Sequence, residues 1–352
     1  MTDAIPPGIH FENVSRWFAA NVPGGGEAPL TFKIIGDGRS NITYFVSNGV
    51  RTWVMRRPPL GHVIATAHDM AREFRVQRGV YGAGFPVPKM IALCEDTAVN
   101  DYPFYVMEYK DGVIVVTDLP PGFASTPDER RAMSQALVDT LVQLHAIDYS
   151  AVGLAEHGRP EGYLGRQVSR WAKQWESNKT ADRPVIDELI RRFNAHLPAS
   201  AAPTIVHGDY RFGNMVLNRD NPGKVEAVLD WEMSTLGDPL SDLGYTLVYW
   251  GNKGDPEEHL KLRPYNKVTT QDGFYTREEI VAAYARKTGR DCSHIAFYQA
   301  FANYKLGVIT EGIYKRTLQG KVTFESGPGG PQSTAEALFN LALGQLDAAG
   351  LT

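Results

Sequence analysis

Short segments dominate the first hundred residues, and in them hydrophobic residues tend to occupy every second position. Residues 42–47 alternate and end at Asn48-Gly49, and residues 50–56 follow at once. Asn-Gly between two such segments predicts a β-hairpin with a type I′ turn, because both residues tolerate the positive φ angles of that turn. Further strands are predicted at 30–35 and 104–108, and a helix at 67–79.

Beyond about residue 110 the hydrophobic spacing becomes helical. Residues 126–129 read Thr-Pro-Asp-Glu, a capping box with proline at the first helical position. Met133, Leu137, Leu141 and Leu144 then recur at intervals of four and three, which marks one buried helix face. Other helices are predicted near 165–177, 184–196, 277–288, 294–318 and 333–348. The pattern predicts an α+β protein with a small β-rich lobe at 1–108 and a larger helical lobe at 109–352.

Composition narrows the class of protein. The chain has 352 residues, of which 43% are hydrophobic, so a sizeable core can form. Its 36 basic and 40 acidic residues give a net charge of −4, which disfavours nucleic acid and anionic membranes as partners. Two cysteines, Cys94 and Cys292, exclude a disulfide framework and a cysteine-rich zinc site. Since no signal-peptide pattern or membrane-length apolar run occurs, we expect a soluble cytoplasmic protein.

Three oxygen-bearing side chains stand out on loops between apolar segments. Residues 205–217 read Ile-Val-His-Gly-Asp-Tyr-Arg-Phe-Gly-Asn-Met-Val-Leu and contain Asp209 and Asn214. Asp230 follows sixteen residues after Asn214, in the sequence Val-Leu-Asp-Trp-Glu at the end of an apolar strand. Mg²⁺ prefers a few hard oxygen ligands and completes its coordination with water and phosphate. These residues are therefore candidates for a magnesium-nucleotide site.

Two motifs carry a family resemblance. His-Gly-Asp-x-x-x-x-Asn followed by Leu-Asp-Trp-Glu resembles the aminoglycoside phosphotransferase family, which has a protein-kinase-like fold, over residues 30 to at least 245. His-Gly-Asp-Tyr-Arg and Arg-Arg-Pro-Pro are most similar to the kinase-like domains associated with acyl-CoA dehydrogenases. The resemblance implies that Asp209 accepts a hydrogen bond from the substrate hydroxyl, that Asn214 and Asp230 hold Mg²⁺ on ATP, and that Arg211 offsets transition-state charge.

The same resemblance assigns a nucleotide site to the first lobe. Residues 53–56 resemble the kinase strand that carries the phosphate-binding lysine, here replaced by arginine. We choose Arg56 over Arg57 for this role, the other possibility being that both are solvated charges at a sheet edge. The remaining implied roles are Glu73 as the partner of that cation, Ser40 and Asn41 in the loop over the phosphates, and Glu108 and Tyr109 in the hinge beside adenine. His207 is expected to position the catalytic loop, and Asp242 to anchor it from below.

The acceptor stays open. Residues 286–321 combine basic and aromatic side chains, which would suit an anionic hydroxyacyl-CoA or hydroxy acid better than a polycationic aminoglycoside. Alternatively, these aromatic residues belong to the core and the lysines to a solvated face. Two hypotheses about function follow. The first is an ATP- and Mg²⁺-dependent kinase of a small-molecule hydroxyl, with aminoglycoside, choline-like and sugar acceptors as alternatives to the hydroxyacyl-CoA or hydroxy acid. The second is a catalytically silent kinase-like nucleotide-binding module, which the arginine at position 56 favours.

Overall fold

The computed structural model describes residues 5–35, 41–60, 69–262, 264–320 and 330–352. These residues group into two compact units. The strand-rich unit takes 1–112, 148–157 and 226–234, and the helical unit takes 113–147, 158–225 and 235–352. Neither unit is continuous along the chain, since a short segment carrying Asp230 belongs to the strand-rich unit. The predicted lobe boundary after residue 108 remains a prediction.

A five-stranded antiparallel sheet forms the centre of the strand-rich unit. In space the strands follow the order β1-β2-β3-β5-β4. Aromatic and β-branched residues are frequent in these strands, as expected for a pleated surface buried on at least one side. Their bounds are β1 Thr31–Ile35, β2 Ile42–Ser47, β3 Thr52–Arg57, β4 Met90–Cys94 and β5 Phe104–Glu108.

The predicted hairpin is confirmed, but its predicted turn is wrong. Ser47 pairs with Thr52, so the loop has four residues, and Gly49 has a positive φ angle of 81° while Asn48 does not. The Asn48 side chain explains the difference, because its Oδ1 accepts hydrogen bonds from the backbone N–H groups of Val50 and Arg51, at 3.1 and 2.8 Å. Side-chain bonds of this kind stabilise a loop without a type I′ turn.

Two helices flank the sheet. Helix α1 (Phe11–Asn21), which the hydrophobic pattern did not predict, packs Phe18 against Trp53 with ring centroids 6.1 Å apart. Helix α2 runs over Met70–Gly82 rather than 67–79. Its start is set by Asp69, whose carboxylate accepts a hydrogen bond from the backbone N–H of Arg72 at 2.8 Å. The unit also contains the short helix α3 (Thr97–Asn100).

The helical unit confirms most of the predicted helices. Thr126 and Glu129 form the predicted reciprocal capping box at the start of α4. The observed bounds are α4 Pro127–His145, α5 Tyr163–Asn178, α6 Pro184–Ala195, α7 Leu240–Val248, α8 Glu257–Lys261, α9 Arg277–Thr288, α10 Ile295–Leu318 and α11 Gly330–Ala348, with 3₁₀ turns at Phe212–Asn214 and Pro264–Thr270. None of the described helices is both long and apolar enough to cross a membrane.

Short strands position the loops of the helical unit. Strand β6 (Thr204–Val206) pairs antiparallel with β9 (Thr235–Gly237). The start of α7 meets the loop after β6 through Asp242, which accepts hydrogen bonds from the backbone N–H groups of His207 and Gly208. Strand β7 (Met215–Leu217) follows that loop, and β8 (Val225–Val228), most of which belongs to the strand-rich unit, comes next along the chain. Helix α7 packs so tightly on α10 that a Cβ atom at Gly244 would lie 2.6 Å from the Cβ of Tyr298.

Candidate active site

Arg56 is the centre of a buried charge cluster in the strand-rich unit. Its guanidinium lies 2.6 Å from Asp230 Oδ1, 3.5 Å from Glu73 Oε1 and 3.5 Å from Glu232 Oε2. The Arg56 side chain is 10% exposed and that of Glu73 only 2%, whereas the Asp230 side chain keeps 30% exposure. The cluster is therefore most open at Asp230 and at Glu232, whose side chain is 24% exposed. Asp230 also has a positive φ angle of 67°, a conformation that few residues other than glycine adopt.

Polar neighbours hold the acids of this cluster in place. The Tyr105 hydroxyl donates to Glu73 Oε1 at 2.9 Å. The Asn41 amide donates to both Glu73 Oε2 and Glu232 Oε2, at 3.3 and 3.2 Å. Sequence reasoning assigned no role to Glu232 or Tyr105. The signal for Glu232 was its place two residues after Asp230, whereas nothing in the local sequence marks Tyr105.

The electrostatics favour a charged cluster around Arg56. Burial by itself would lower the pKa of Arg56, but Glu73 and the other acids around it raise that pKa well above its ordinary value. Burial raises the pKa of Glu73, while the nearby Arg56 charge opposes this rise. Arg56 Nε is buried and has no hydrogen-bond partner among the described residues. An anion bound there would satisfy a donor that the protein leaves unused.

Arg57 has a different environment. It is 1% exposed and its Nε donates to the carbonyl oxygen of Pro58 at 3.2 Å, and its Nη1 to that of Gly8. The possibility that both arginines are solvated charges is therefore wrong. Because successive side chains of a strand point to opposite faces, only Arg56 reaches the acidic cluster.

The predicted hinge residues lie beside a groove in the strand-rich unit. Tyr109 and Phe45 meet edge to face with ring centroids 5.3 Å apart, and both line a groove of about 390 Å³ over strands β1 to β3. Glu108 forms an ion pair with Lys110 at 3.0 Å. The structure thus brings Tyr109, but not the Glu108 side chain, to a space where a planar ring could bind. Ser40 lies outside the described residues.

In the helical unit, the loop after β6 presents Asp209 within a small polar network. The Asn214 Nδ2 group donates to Asp209 Oδ2 at 2.7 Å and to the Asp209 carbonyl oxygen at 2.8 Å. Arg211 Nε donates to Asp209 Oδ1 at 3.1 Å, and its guanidinium lies 5.0 Å from the centroid of the Tyr249 ring. Both carboxylate oxygens of Asp209 are therefore oriented by neighbours in the sequence. The Asp209 side chain retains 16% exposure.

Asp242 anchors this loop from below, as the sequence predicted. Its carboxylate accepts hydrogen bonds from the backbone N–H groups of His207 and Gly208, both at 2.7 Å. His207 Nδ1 in turn accepts from the Asp209 backbone N–H at 3.2 Å, in agreement with a positioning role. Burial opposes ionisation of Asp242, but the hydrogen bond and charge of His145 help to hold its pKa below the ordinary value.

A buried lysine supports the same loop and was missed by sequence reasoning. Lys305 Nζ donates to the Gly208 carbonyl oxygen at 2.8 Å and lies 4.4 Å from the centroid of the Tyr245 ring. Burial lowers the pKa of Lys305 to about 8. In the sequence this lysine was one of several basic residues in 286–321, and only the packing distinguishes it.

The structure contradicts the prediction that aromatic residues of 286–321 line a binding surface for the acceptor. Phe297, Tyr298, Phe301 and Tyr304 are at most 8% exposed and belong to the core of the helical unit. Helix α10 is buried on nearly every side in this stretch. Aromatic residues that fill a core cannot line an open binding surface. These residues therefore say nothing about the acceptor.

Asn214 and Asp230 can each offer an oxygen to a cation. Both hydrogen bonds of Asn214 use its nitrogen, which leaves the amide oxygen without a hydrogen bond in the part of the chain that the structure describes. Asp230 is partly exposed beside Arg56. No group of three His, Cys, Asp or Glu side chains among the described residues could hold a metal. Mg²⁺ at either residue would therefore need water or phosphate oxygens as well.

Known proteins similar to this chain include a phosphotransferase family and parts of longer proteins. The model of the phosphotransferase enzyme family (APH) matches residues 31–266. Acyl-CoA dehydrogenase family member 11 of Homo sapiens is 36% identical over 303 residues, which cover 85% of this chain but 38% of that relative. The match to member 10 of Mus musculus covers 27% of its length. The chain thus spans well under half of these curated relatives.

Two solved structures share the fold. A candidate aminoglycoside phosphotransferase of Ralstonia eutropha JMP134 is 30% identical, with a TM-score of 0.76 over 96% of this chain and 98% of that one. A choline kinase of Cryptosporidium parvum Iowa II aligns with a TM-score of 0.66 over 97% of each chain at 14% identity, which shows the fold alone. The predicted α+β, kinase-like fold class is confirmed.

Proposed function

The chain belongs to the phosphotransferase enzyme family, and we propose that it uses Mg²⁺-ATP to phosphorylate a hydroxyl group of a small molecule. The observation that carries this proposal is the Asp209 carboxylate, held by Asn214 and Arg211 on a loop that Asp242 anchors. A carboxylate oriented in this way can align an acceptor hydroxyl without large movements of its own. Phosphoryl transfer depends mainly on such alignment and on charge neutralisation.

In the proposed reaction the acceptor oxygen attacks the γ-phosphorus of ATP. The new O–P bond forms while the bond between the γ-phosphorus and its bridging oxygen breaks, and ADP leaves. The hydroxyl proton passes to the Asp209 carboxylate. Arg211, whose pKa is raised by Asp209 although burial opposes this, stays charged and offsets negative charge on the phosphoryl group.

In this proposal the strand-rich unit binds the nucleotide. Arg56 would contact phosphate through guanidinium N–H groups, one of which is unused, while Glu73 fixes its position. Asn41 would lie near the phosphates, and Tyr109 near adenine, with Glu108 contributing backbone groups only. Asn214 and Asp230 would supply oxygens to Mg²⁺, which in this family of reactions neutralises phosphate charge.

For the acceptor we propose a hydroxyacyl-CoA or a related hydroxy acid. The support comes from the curated relatives, which are named acyl-CoA dehydrogenase family members. An aminoglycoside acceptor is the alternative suggested by the 30% identical candidate phosphotransferase of Ralstonia eutropha. Choline-like and sugar acceptors are weaker candidates, since the choline kinase described above is only 14% identical.

The test is ADP release from Mg²⁺-ATP in the presence of pooled acceptors: hydroxyacyl-CoAs, free hydroxy acids, aminoglycosides, amino alcohols and sugars. Asp209→Asn should lower the rate by about three powers of ten or more while leaving the fold intact, because the amide cannot accept the proton. Asp220→Asn is the matched control. It changes an exposed aspartate that follows the motif in the chain, and it should keep the native rate. Native activity in Asp209→Asn would contradict the mechanism.

One observation favours a second function, a nucleotide-binding module without turnover. Arg56 lies 2.6 Å from Asp230, so the phosphate-binding cation and the proposed metal ligand neutralise each other in this structure. If that pair persisted with nucleotide bound, Mg²⁺ would lose a ligand. ADP binding that is insensitive to Mg²⁺, combined with no turnover in any acceptor pool, would support this second function.

A further inference from the structure

A basic groove runs along α5 in the helical unit. It encloses about 700 Å³ and is lined by the cations Arg159, Arg166, Arg170 and Lys173, with no carboxylate among its described lining residues. Arg166, Arg170 and Lys173 lie four and then three residues apart, which places them on one face of the helix. Four positive charges therefore converge on one concave surface.

These four cations lack the acidic partners that several other exposed basic residues of the unit have. Arg191 lies 2.8 Å from Glu188, and Lys287 lies 2.9 Å from Asp139. Among the described residues, none of the groove cations forms an ion pair with a carboxylate. In a chain with a net charge of −4, an uncompensated cluster of this kind produces a local positive potential. Such a potential attracts a polyanion.

The groove is connected to the support of the catalytic loop. Trp171, the residue after Arg170, is buried, and Lys305 Nζ lies 5.7 Å from its ring centroid. The same Nζ donates to the carbonyl oxygen of Gly208, the residue before Asp209. At the other end, Tyr163 lines the groove and packs on Gly237 of β9, where an added Cβ atom would lie 2.5 Å from Tyr163 Cε2. A ligand in the groove would thus lie beside the structural frame of Asp209.

We propose that the α5 groove binds the phosphorylated nucleotide end of a coenzyme A thioester, whose acyl end presents the hydroxyl to Asp209. This inference rests on the proposed function and specifies its acceptor. The nucleotide end of coenzyme A carries a 3′-phosphomonoester and a pyrophosphate, so several arginine and lysine contacts can form at once. A free hydroxy acid has a single carboxylate and would gain nothing from the groove.

The experiment measures binding of coenzyme A to the full chain by calorimetry, with saturating ADP and Mg²⁺ present to block the nucleotide site. Arg166→Glu/Arg170→Glu should weaken binding at least about tenfold, because charge-assisted contacts to phosphate are lost and repulsion replaces them. Dephospho-coenzyme A, which lacks the 3′-phosphate, should bind the native protein more weakly and show a smaller loss. The milder Arg166→Gln/Arg170→Gln variant should show the same trend if the reversed charges disturb folding.

Arg286→Glu/Arg316→Glu is the matched control, since it makes the same charge change at two exposed positions on α9 and α10. It should leave coenzyme A binding unchanged. Equal losses in both double variants, a loss in the control alone, or no binding by the native protein would each overturn the assignment.

Binding is measured without turnover, so this inference and the proposed function can fail separately. Groove-dependent coenzyme A binding without any Asp209-dependent phosphorylation would support the groove and contradict the kinase. Phosphorylation of a free hydroxy acid by a protein that does not bind coenzyme A would do the reverse.

Discussion

Arg56 is a buried cation surrounded by three acids, so its substitution affects both charge balance and ligand binding. Removing it would leave the nearly inaccessible Glu73 carboxylate without a cation. Arg56→Lys keeps the charge but loses the planar guanidinium that can grip phosphate with two N–H groups. Substitution of Arg56 is therefore the most direct test of the nucleotide site.

We expect Arg56→Lys to weaken Mg²⁺-ADP binding about tenfold, measured by equilibrium titration. Arg57→Lys is the matched control. Arg57 is also buried, but its side chain donates hydrogen bonds to the backbone carbonyl oxygens of Pro58 and Gly8, so this change should lower stability and leave nucleotide affinity unchanged. A larger loss of affinity in Arg57→Lys than in Arg56→Lys would reverse the choice between them.

Much of the candidate site could be proposed from the sequence because its residues sit in two short motifs. Asp209, Arg211 and Asn214 lie within six residues, and the structure brings their side chains together as a local network. Glu232 lies in the second motif, but its contact with Arg56 could not be assigned in this way, and neither could the role of Lys305. Lys305 meets the catalytic loop across 97 positions of the chain, and local sequence carries no information about such a contact.

At the scale of elements, the close approach of α7 and α10 makes a specific demand on Gly244. A methyl group there would lie 2.6 Å from the Tyr298 Cβ and 2.8 Å from its backbone carbonyl carbon. Backbone cannot move aside as a flexible side chain can, so the two helices would have to separate. This packing also supports the loop, because Asp242 lies on α7.

Gly244→Ala should therefore lower the free energy of unfolding by about 1–3 kcal/mol, as overpacking of a tight core does. Gly344→Ala on the exposed face of α11 is the matched control, since its added Cβ meets no atom within 4 Å. There the gain in helix propensity should raise stability by about 0.5–1 kcal/mol. Denaturant titration of both variants measures these changes in the free energy of unfolding. Equal changes in the two variants would argue against the tight contact at Gly244.

Among the elements, the predicted helices were found with ends within about three residues of the predicted ones, while the turn chemistry of the hairpin was not predicted. The capping boxes at Thr126 and Thr276 start α4 and α9 at the predicted residues. Helix α1 was not predicted although it is well buried through Val14 and Phe18. Its stability comes from packing on the sheet, and tertiary contacts of this kind can override a weak local pattern.

For the whole molecule, stability should depend on pH through His157 in the strand-rich unit. Burial, together with the charges of Arg72 and Arg75, lowers the pKa of His157 to about 3. The folded protein thus keeps this histidine neutral, and its Nε2 lies 2.9 Å from Ser234 Oγ. The unfolded chain takes up a proton below about pH 6.5. Stability must therefore fall as the pH drops from about 6.5 towards 3.

At pH 5 this effect should amount to about 2 kcal/mol relative to pH 7.5, from 1.36 kcal/mol for each pKa unit. His157→Gln keeps a polar side chain but cannot titrate, so the stability of that variant should change less between the two pH values. His294→Gln removes an exposed histidine and should retain the native dependence. An unchanged pH dependence in His157→Gln would contradict the argument.

Patterns between residues close together in the chain were enough to predict the family, the fold class and the principal candidate residues. Hydrophobic periodicity reports which face of each element is buried, and the His-Gly-Asp and Asp-Trp-Glu motifs are local in the chain. Both kinds of information survive without three-dimensional structure, because they depend on residues only a few positions apart.

The contacts between residues far apart in the chain could be found only in the folded protein. It placed Arg56 rather than Arg57 among the acids, through a contact with Asp230 that spans 174 positions. It also showed that the aromatic residues of α10 fill the core, and that the cations of α5 line a groove without acidic partners. A pattern along the chain cannot distinguish a core aromatic from a binding surface, because burial depends on which elements pack against it.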